Sequence, residues 1–455
     1  MSIYEALYRR VLFPVFDGCK GRKTVSYWRR AERSQWRTRQ QLEAQQWLDL
    51  RSIFEYAFEH CEYYHTAWTA LNLHPSDLRT IRDVQRWPLL TREIIQADLS
   101  RLRSRSGAKA ITKSTGGSTG QPLVFDIDHP SNERRTAMAY RGYDWADAGP
   151  GRRQLLIWGG DTQSVSRWKK LKAATHRRFE HQLQLNCFDF KPDQMWRHFS
   201  AMQRFRPEVI IAYTNPLYAF ARFIKDQRLA PTTVRSIVVG AEKLYDFQRA
   251  MIEDVFQAPV FETYGSREFM LIGAECEEHA GLHLSMENLF VEVLDDTGQP
   301  TRDGEEGNVV ITDLFNRAMP FIRYVNGDRA IAGFTACRCA RGLPVLQKVV
   351  GRRLDLVIAI SGGTIPGEIF PHFFKDYPAV HRFQVHQYQP GEIEIKLVGS
   401  SSLTDEDCDI MHRRITNQIG QQLRVRFERV ADLPLTSAGK LQVVVNHLVC
   451  HQRQS

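Results

Sequence analysis

The sequence is poor in cysteine, with eight in 455 residues and none in a dense framework. That is too few to staple a fold of this size and suits a reducing cytoplasm. No apolar run approaches the roughly 20 residues of a membrane-spanning helix, so none is expected. The opening MSIYEALYRRVLFPVF breaks its apolar positions with Arg9 and Arg10, which argues against a secretory signal. Two familiar nucleotide motifs are missing as well. A P-loop needs a lysine after its last glycine, and Gly120 is followed by Gln121 and Pro122. A dinucleotide fingerprint opens a helix, whereas Leu123-Val124-Phe125-Asp126-Ile127 reads as a strand. Zinc-finger, RNA-recognition and heptad patterns, internal repeats and low-complexity tracts are also lacking.

Acidic side chains are the scarcer charge, 52 against 61 Lys and Arg, giving a net charge of +9. A basic balance raises nucleic acid as a partner. Tyr27, Trp28, Trp36 and Trp47 do lie among Arg29, Arg30, Arg33, Arg37 and Arg39. A basic amphipathic helix on an enzyme surface has the same texture, and without a recognition motif no nucleic acid is expected. The aromatic, basic first 30 residues leave room for a peripheral membrane contact.

What is present is an alternation. Residues 34–105 carry apolar positions such as Leu48, Ile53, Phe54, Tyr56 and Ala57 that predict helices. From residue 110 short β-type runs alternate with helical stretches: RQLLIWGG, DQMWRHFSAMQRF, EVIIAY, NPLYAFARFIKDQRL, SIVVGAE. This predicts parallel βαβ units in an α/β multidomain chain. NLFVEVLDDTGQP followed by GNVVITDL predicts a hairpin turning at Asp296-Thr297-Gly298. Past Gly351, HRFQVHQY, EIEIKLV, a helix over DEDCDIMHRRITNQIGQQL and VRFERV predict a small α+β domain. The expected division is therefore 1–350 and 351–455.

The stretch KSTGGSTGQPLVFDID places Ser114, Thr115, Gly116, Gly117, Ser118, Thr119 and Gly120 in one loop between two strands. Glycines let backbone wrap an anion, and the hydroxyls donate to it. The same residues also make an ordinary hairpin tip. Four later stretches decide between these readings: VVGAEK, ETYGSREF, FIRYVNGDRA and VVGRRLDLV, with Lys440 in LPLTSAGKLQV. In this order they resemble the adenylate-forming acyl-CoA synthetase superfamily, and within it the phenylacetate–CoA ligase branch with its capsule-biosynthesis relatives. EYAFEHCEYYHTAW and WPLLTREII resemble the N-terminal segment of that branch, so the likeness covers nearly the whole chain.

The resemblance implies a large N-terminal domain and a mobile C-terminal lid. It implies that a carboxylic acid and ATP give an acyl-adenylate and pyrophosphate, and that a thiol, normally that of CoA, then takes the acyl group. Ser114 to Gly120 would cradle the phosphates. Gly240, Ala241 and Glu242 would line the adenine slot, and Tyr264, beside Gly265, would stack on the base. Glu268 would hold Mg²⁺; Asp328 would accept the ribose hydroxyls; Arg352 would neutralise charge near the α-phosphate. Lys440 would act in adenylation, and Asp355 would mark the hinge. Three departures stand out: Gln121 replaces a lysine, Arg267 replaces a threonine, and Leu354-Asp355 replaces paired aspartates. Arg267 is expected to substitute in part for the missing lysine. Cys276, His283 (or His279), Cys337 and Cys339 supply a soft donor set for structural Zn²⁺ like that of the branch. An amine, a sugar hydroxyl or a carrier protein remain alternative acceptors, a non-catalytic nucleotide-binding subunit the alternative of another class, and a dimer an open option.

Overall fold

The computed structural model describes residues 2–107, 109–114, 123–158, 175–186, 192–333, 336–352, 356–360, 364–367, 369–374, 377, 379–400, 403–419, 423–435 and 441–448. The chain divides into two compact units between Val350 and Gly351.

The first unit begins with helices. Arg39–His60 starts at a capping box, in which Thr38 Oγ1 accepts from the Gln41 amide (3.3 Å) and Gln41 Oε1 accepts from the Thr38 amide (3.1 Å). Its buried stripe is Leu50, Ile53, Phe54 and Ala57. Leu48, expected on that stripe, is out of phase with it and faces solvent. Phe54 stacks on Trp68 at 5.3 Å and meets the edge of Trp87 at 5.5 Å. Each such fully buried aromatic contributes about 1.5–3 kcal/mol.

The alternating segments form an eight-stranded sheet. In spatial order its strands are Val345–Leu346, Leu282–Leu284, Met270–Glu275, Val260–Ser266, Ser236–Gly240, Val209–Tyr213, Gln154–Trp158 and Gln182–Asn186. Neighbours from Val260–Ser266 to Gln182–Asn186 run parallel, and those on the other side run antiparallel. VIIAY and SIVVG are buried at every position, as strands covered on both faces must be. Helices Pro192–Phe205, Thr214–Asp226 and Asp246–Phe256 cover one face through Met202, Leu217, Phe220 and Ile252. Tyr143, Ala146 and Ala148 cover the other, against Ile211, Val238 and Phe261.

A second sheet contains Leu289–Leu294, Glu306–Asp313 and Tyr324–Ile331, all antiparallel. The predicted turn forms because Asp295 Oδ1 accepts from the amides of Thr297 (2.8 Å) and Gln299 (2.9 Å), with Gly298 at φ +82°. At the end of Glu306–Asp313, Asp313 is fully buried against Arg135 of helix His129–Trp145. Asn316 next to it donates to the carbonyls of Asp126 (2.9 Å) and Met319 (2.7 Å). Those contacts tie the sheet to the strand that follows the Gly/Ser/Thr loop.

The second unit is a four-stranded sheet ordered Arg424–Arg429, Glu392–Gly399, Val380–Gln389 and Val444–Asn446. Helix Asp405–Ile419 packs Met411 and Ile415 into its core. Thr404 opens that helix, its Oγ1 accepting from the Asp407 amide at 3.2 Å.

Candidate active site

The strands Ala110–Ser114 and Val124–Asp128 pair antiparallel, with Ser114 opposite Val124. They therefore bracket the Gly/Ser/Thr loop as the sequence predicts. Thr115, Gly116, Gly117, Ser118, Thr119 and Gly120 lie outside the described residues, as do Asp355 and Lys440. Arg352 ends the strand Lys348–Arg352, and its side chain is likewise outside them.

Ser114 carries the first informative contact. Arg267 Nη1 donates to its carbonyl at 2.7 Å, which brings the unusual arginine to the start of the loop. A second cation stands there that the motif reading passed over. Lys113 is half-buried, and its Nζ donates to Asn132 Oδ1 at 2.9 Å. Burial, then Arg135 and Arg267, push the Lys113 ammonium down to about 8. Lys113 heads the quoted stretch, but a lysine in a strand has no signature of its own. Only the antiparallel pair and the turn Arg267–Phe269 bring the two cations together.

The carboxyl ends of the parallel strands form the second part. Tyr213 lies opposite Gly240 in the register. A Cβ at Gly240 would stand 2.4 Å from Thr263 Oγ1, which donates to the Val239 carbonyl at 2.8 Å. Glycine is thus required where two strand ends meet. Ala241 then turns at φ +66°, a left-handed conformation that costs a non-glycine residue of order 1–3 kcal/mol. Such strain concentrates at ligand sites. Glu242 Oε2 accepts from the Asn215 amide at 2.8 Å, fixing the turn on helix Thr214–Asp226.

The third part joins two motifs. Tyr264 donates its hydroxyl to Asp328 Oδ2 at 2.8 Å, and Asn326 Nδ2 donates to the same oxygen at 2.9 Å. Asn326 Oδ1 in turn accepts from the Asp328 amide at 3.0 Å. The ring of Tyr264 is buried in the main core. Gly265 allows the following bulge, because a Cβ there would meet the Met270 carbonyl at 2.0 Å. Glu268 sits largely buried in the turn beyond Arg267. Trp158 meets Tyr213 edge-on at 4.4 Å and lines a cavity of about 220 Å³ whose wall mixes Tyr140, Tyr143 and Ile211 with Gln154, Gln182 and Glu180.

Away from these groups, Cys276, His283, Cys337 and Cys339 place one donor atom each within 4.8 Å of one another. Cys276 Sγ lies 3.7 Å from Cys337 Sγ, and Cys339 Sγ lies 3.3 Å from His283 Nε2. Metal–ligand bonds of roughly 2.3 Å to sulfur and 2.0 Å to nitrogen give tetrahedral edges of about 3.8 and 3.5 Å, so the donor set fits Zn²⁺. Burial, then Arg341, pushes the His283 imidazolium down to about 4 and keeps the ring neutral, as a ligand must be. His279 is instead engaged with Glu275 at 3.1 Å.

Comparison with known proteins places this geometry. Over 440 residues the chain is 24% identical to the phenylacetate-coenzyme A ligase of Thermus thermophilus, covering 90% of this chain and 97% of that protein. It is 22% identical to protein CapK of Staphylococcus aureus, covering 87% of each. Residues 357–447 match the CapK C-terminal domain family. A 2-hydroxyisobutyryl-CoA ligase in complex with its acyl-adenylate shares the fold with a TM-score of 0.71, 18% identity and 90% coverage of each chain. In sequence the chain is thus similar to phenylacetate-coenzyme A ligase and to CapK over most of its length, and in fold to a CoA ligase holding an acyl-adenylate. The motifs ETYGSREF and FIRYVNGDRA, far apart in the chain, are joined through Tyr264 and Asp328.

Proposed function

We propose that this protein activates a carboxylic acid with ATP, releases pyrophosphate, and passes the acyl group from the adenylate to the thiol of CoA. The observation that carries the reading is the cluster Tyr264–Asp328–Asn326 beside the strand ends at Gly240. It holds a carboxylate oriented by two donors, the arrangement needed to accept ribose hydroxyls. The names of the relatives support the same chemistry.

In this proposal Ser114 to Gly120 hold the phosphates, and Arg267 and Lys113 add positive charge at the loop's start. Gly240, Ala241 and Glu242 border the adenine, Tyr264 stacks on the base, and Arg352 lies near the α-phosphate. Glu268 would hold Mg²⁺, which when bound neutralises phosphate charge. Lys440 serves the adenylation step. The 1–350 domain is the adenylation domain, 351–455 is the mobile lid with Asp355 at its hinge, and the setting is the cytoplasm. The aromatic side chains Trp158 and Tyr213 at the strand ends make aryl and arylacetic acids the first members of a substrate panel. The second reading of the acceptor, as an amine, a sugar hydroxyl or a carrier-protein thiol, rests on the resemblance to capsule-biosynthesis relatives.

Acid-dependent ATP–pyrophosphate exchange across a panel of carboxylates tests the first half-reaction, and exchange with at least one acid is expected. Release of ADP and phosphate, or no exchange with any acid, would refute it. Offering the isolated acyl-adenylate to CoA and to the other acceptors then decides the second half.

The cysteine–histidine set is proposed to bind one structural Zn²⁺ by Cys276, His283, Cys337 and Cys339. Metal analysis is expected to find one zinc per chain, and Cys337→Ser to lose metal and thermal stability together. A metal-free wild-type chain of undiminished stability would overturn this assignment.

A further inference from the structure

The segment Ile3–Cys19 is helical throughout, as an α-turn Ile3–Leu7, a π-turn Tyr8–Leu12 and an α-turn Phe13–Cys19. One face is packed on the body: Tyr8 and Phe13 join Trp28, Ala137 and Met138 in a buried cluster. Glu5 on that face lies 3.3 Å from Arg152, and Asp17 accepts from the Val25 amide at 2.9 Å. A surface helix so anchored ordinarily turns polar residues outward. This one does not. Ile3 is 91% exposed, Leu7 45%, Val11 48% and Val15 59%, and the exposed Cys19 takes the next four-residue step.

The π-turn explains how these residues stay in line. A four-residue step overshoots an α-turn of 3.6 residues by about 40°. The wider π-turn, closed by i→i+5 bonds, undershoots instead. One π-turn in mid-segment therefore brings the stripe back and gives a straight apolar ridge on the side opposite the packed face.

The exposed charge of residues 2–30 themselves has one sign. The only acids in residues 2–30 are Glu5 and Asp17, and both are buried. Arg10, Lys20, Arg22, Lys23, Arg29 and Arg30 are all exposed. Beside the ridge, Arg22, Lys23, Arg29 and Arg33 line a groove that shares Pro14 and Gly18 with the helix. The acids of that groove are already engaged, Asp17 with the Val25 amide and Glu32 with Arg9 at 3.6 Å. A second copy of the chain would set this positive rim against itself. An anionic bilayer offers an apolar interior for the ridge and phosphates for the rim. No helix among the described residues is long and apolar enough to cross a membrane, so attachment would be interfacial.

We propose that the Ile3–Cys19 helix and its basic groove dock this protein on anionic lipid surfaces. The test is co-sedimentation of the full chain with vesicles of phosphatidylcholine alone and with one-third phosphatidylglycerol, near physiological salt. Binding to the anionic vesicles and not the neutral ones is expected. Leu7→Asp/Val11→Asp should lower partitioning at least about thirtyfold, while Leu71→Asp, at an exposed leucine elsewhere, should not. Lys20→Gln/Arg22→Gln/Lys23→Gln should lower it about a hundredfold, or roughly fivefold per charge. Unchanged thermal unfolding of the variants shows that the fold is intact. Three results overturn the proposal: no binding to anionic vesicles, equal binding by the Leu7→Asp/Val11→Asp variant, or wild-type self-association abolished by that variant, which would make a second copy the occupant.

Discussion

Asp313→Ala is expected to destabilise the first unit by about 3–5 kcal/mol, the usual cost of stranding one member of a buried ion pair. Neither side chain of the Arg135–Asp313 pair has any solvent exposure. Arg135 Nε and Nη1 find no hydrogen-bond partner among the described residues, so one carboxylate balances the whole guanidinium. Asp313 Oδ1 also accepts from the amides of Phe315 (2.9 Å) and Asn316 (3.1 Å). Alanine would remove those acceptors and leave a charge in an apolar setting. Urea unfolding of the full chain measures the effect. Asp313→Asn should fall between, because it keeps an acceptor for the two amides. Replacing both partners, Arg135→Leu/Asp313→Leu, should recover much of the loss, since an apolar pair of similar volume is often as stable as the ions it replaces. A loss under about 1 kcal/mol for Asp313→Ala alone would show that water reaches the pair.

Lys440→Ala is expected to slow adenylation by about a hundred- to thousandfold, the effect of removing one preorganised charge donor, worth roughly 3–4 kcal/mol. The reason lies in the chemistry. Carboxylate attack on the α-phosphate brings two anions together, and a fixed cation between them favours the transition state over the ground state. Once pyrophosphate has left, thiol attack on the adenylate has no such need. A supplied acyl-adenylate should therefore still be converted with CoA at near-normal rate. An equal fall in both steps would assign Lys440 to the fold, and a change below about twofold in each would make it a solvated surface lysine.

The parts of this structure that sequence made legible are those with a local signal. The short β-type and helical runs between residues 153 and 240 predict the βαβ order because Val209–Tyr213 and Ser236–Gly240 are apolar runs buried on both faces and the helices beside them are buried on one. The hairpin at Asp296-Thr297-Gly298 is legible because Asp295 and Gly298 act on their own neighbours. The cysteine–histidine set, with His283 preferred to His279, could be named from its resemblance to that of the branch, and the pairing of Leu282–Leu284 with Val345–Leu346 sets His283 opposite Val345. The cationic pair Lys113 and Arg267, and the Arg135–Asp313–Asn316 anchor, have no local signal. Their partners lie far along the chain and are charged residues that composition alone assigns to the surface. Leu48 shows the complementary error, an apolar residue assigned to a buried stripe although its helical phase turns it outward.

The main core has a consequence for the order in which the chain can be made. Leu50, Phe54, Trp68, Trp87 and Leu102 share one buried cluster with residues from Leu282 to Leu346. Leu90 even donates its amide to the Arg323 carbonyl at 2.9 Å. A ribosome adding about 5–20 residues per second needs roughly 10–40 s to traverse the intervening stretch of about 180 residues. Throughout that interval the nascent helices have each other's aromatic rings but lack the part of the cluster that is synthesised later. Expression of this protein is therefore set to depend on translation speed and on holdase chaperones, more than its finished burial would suggest.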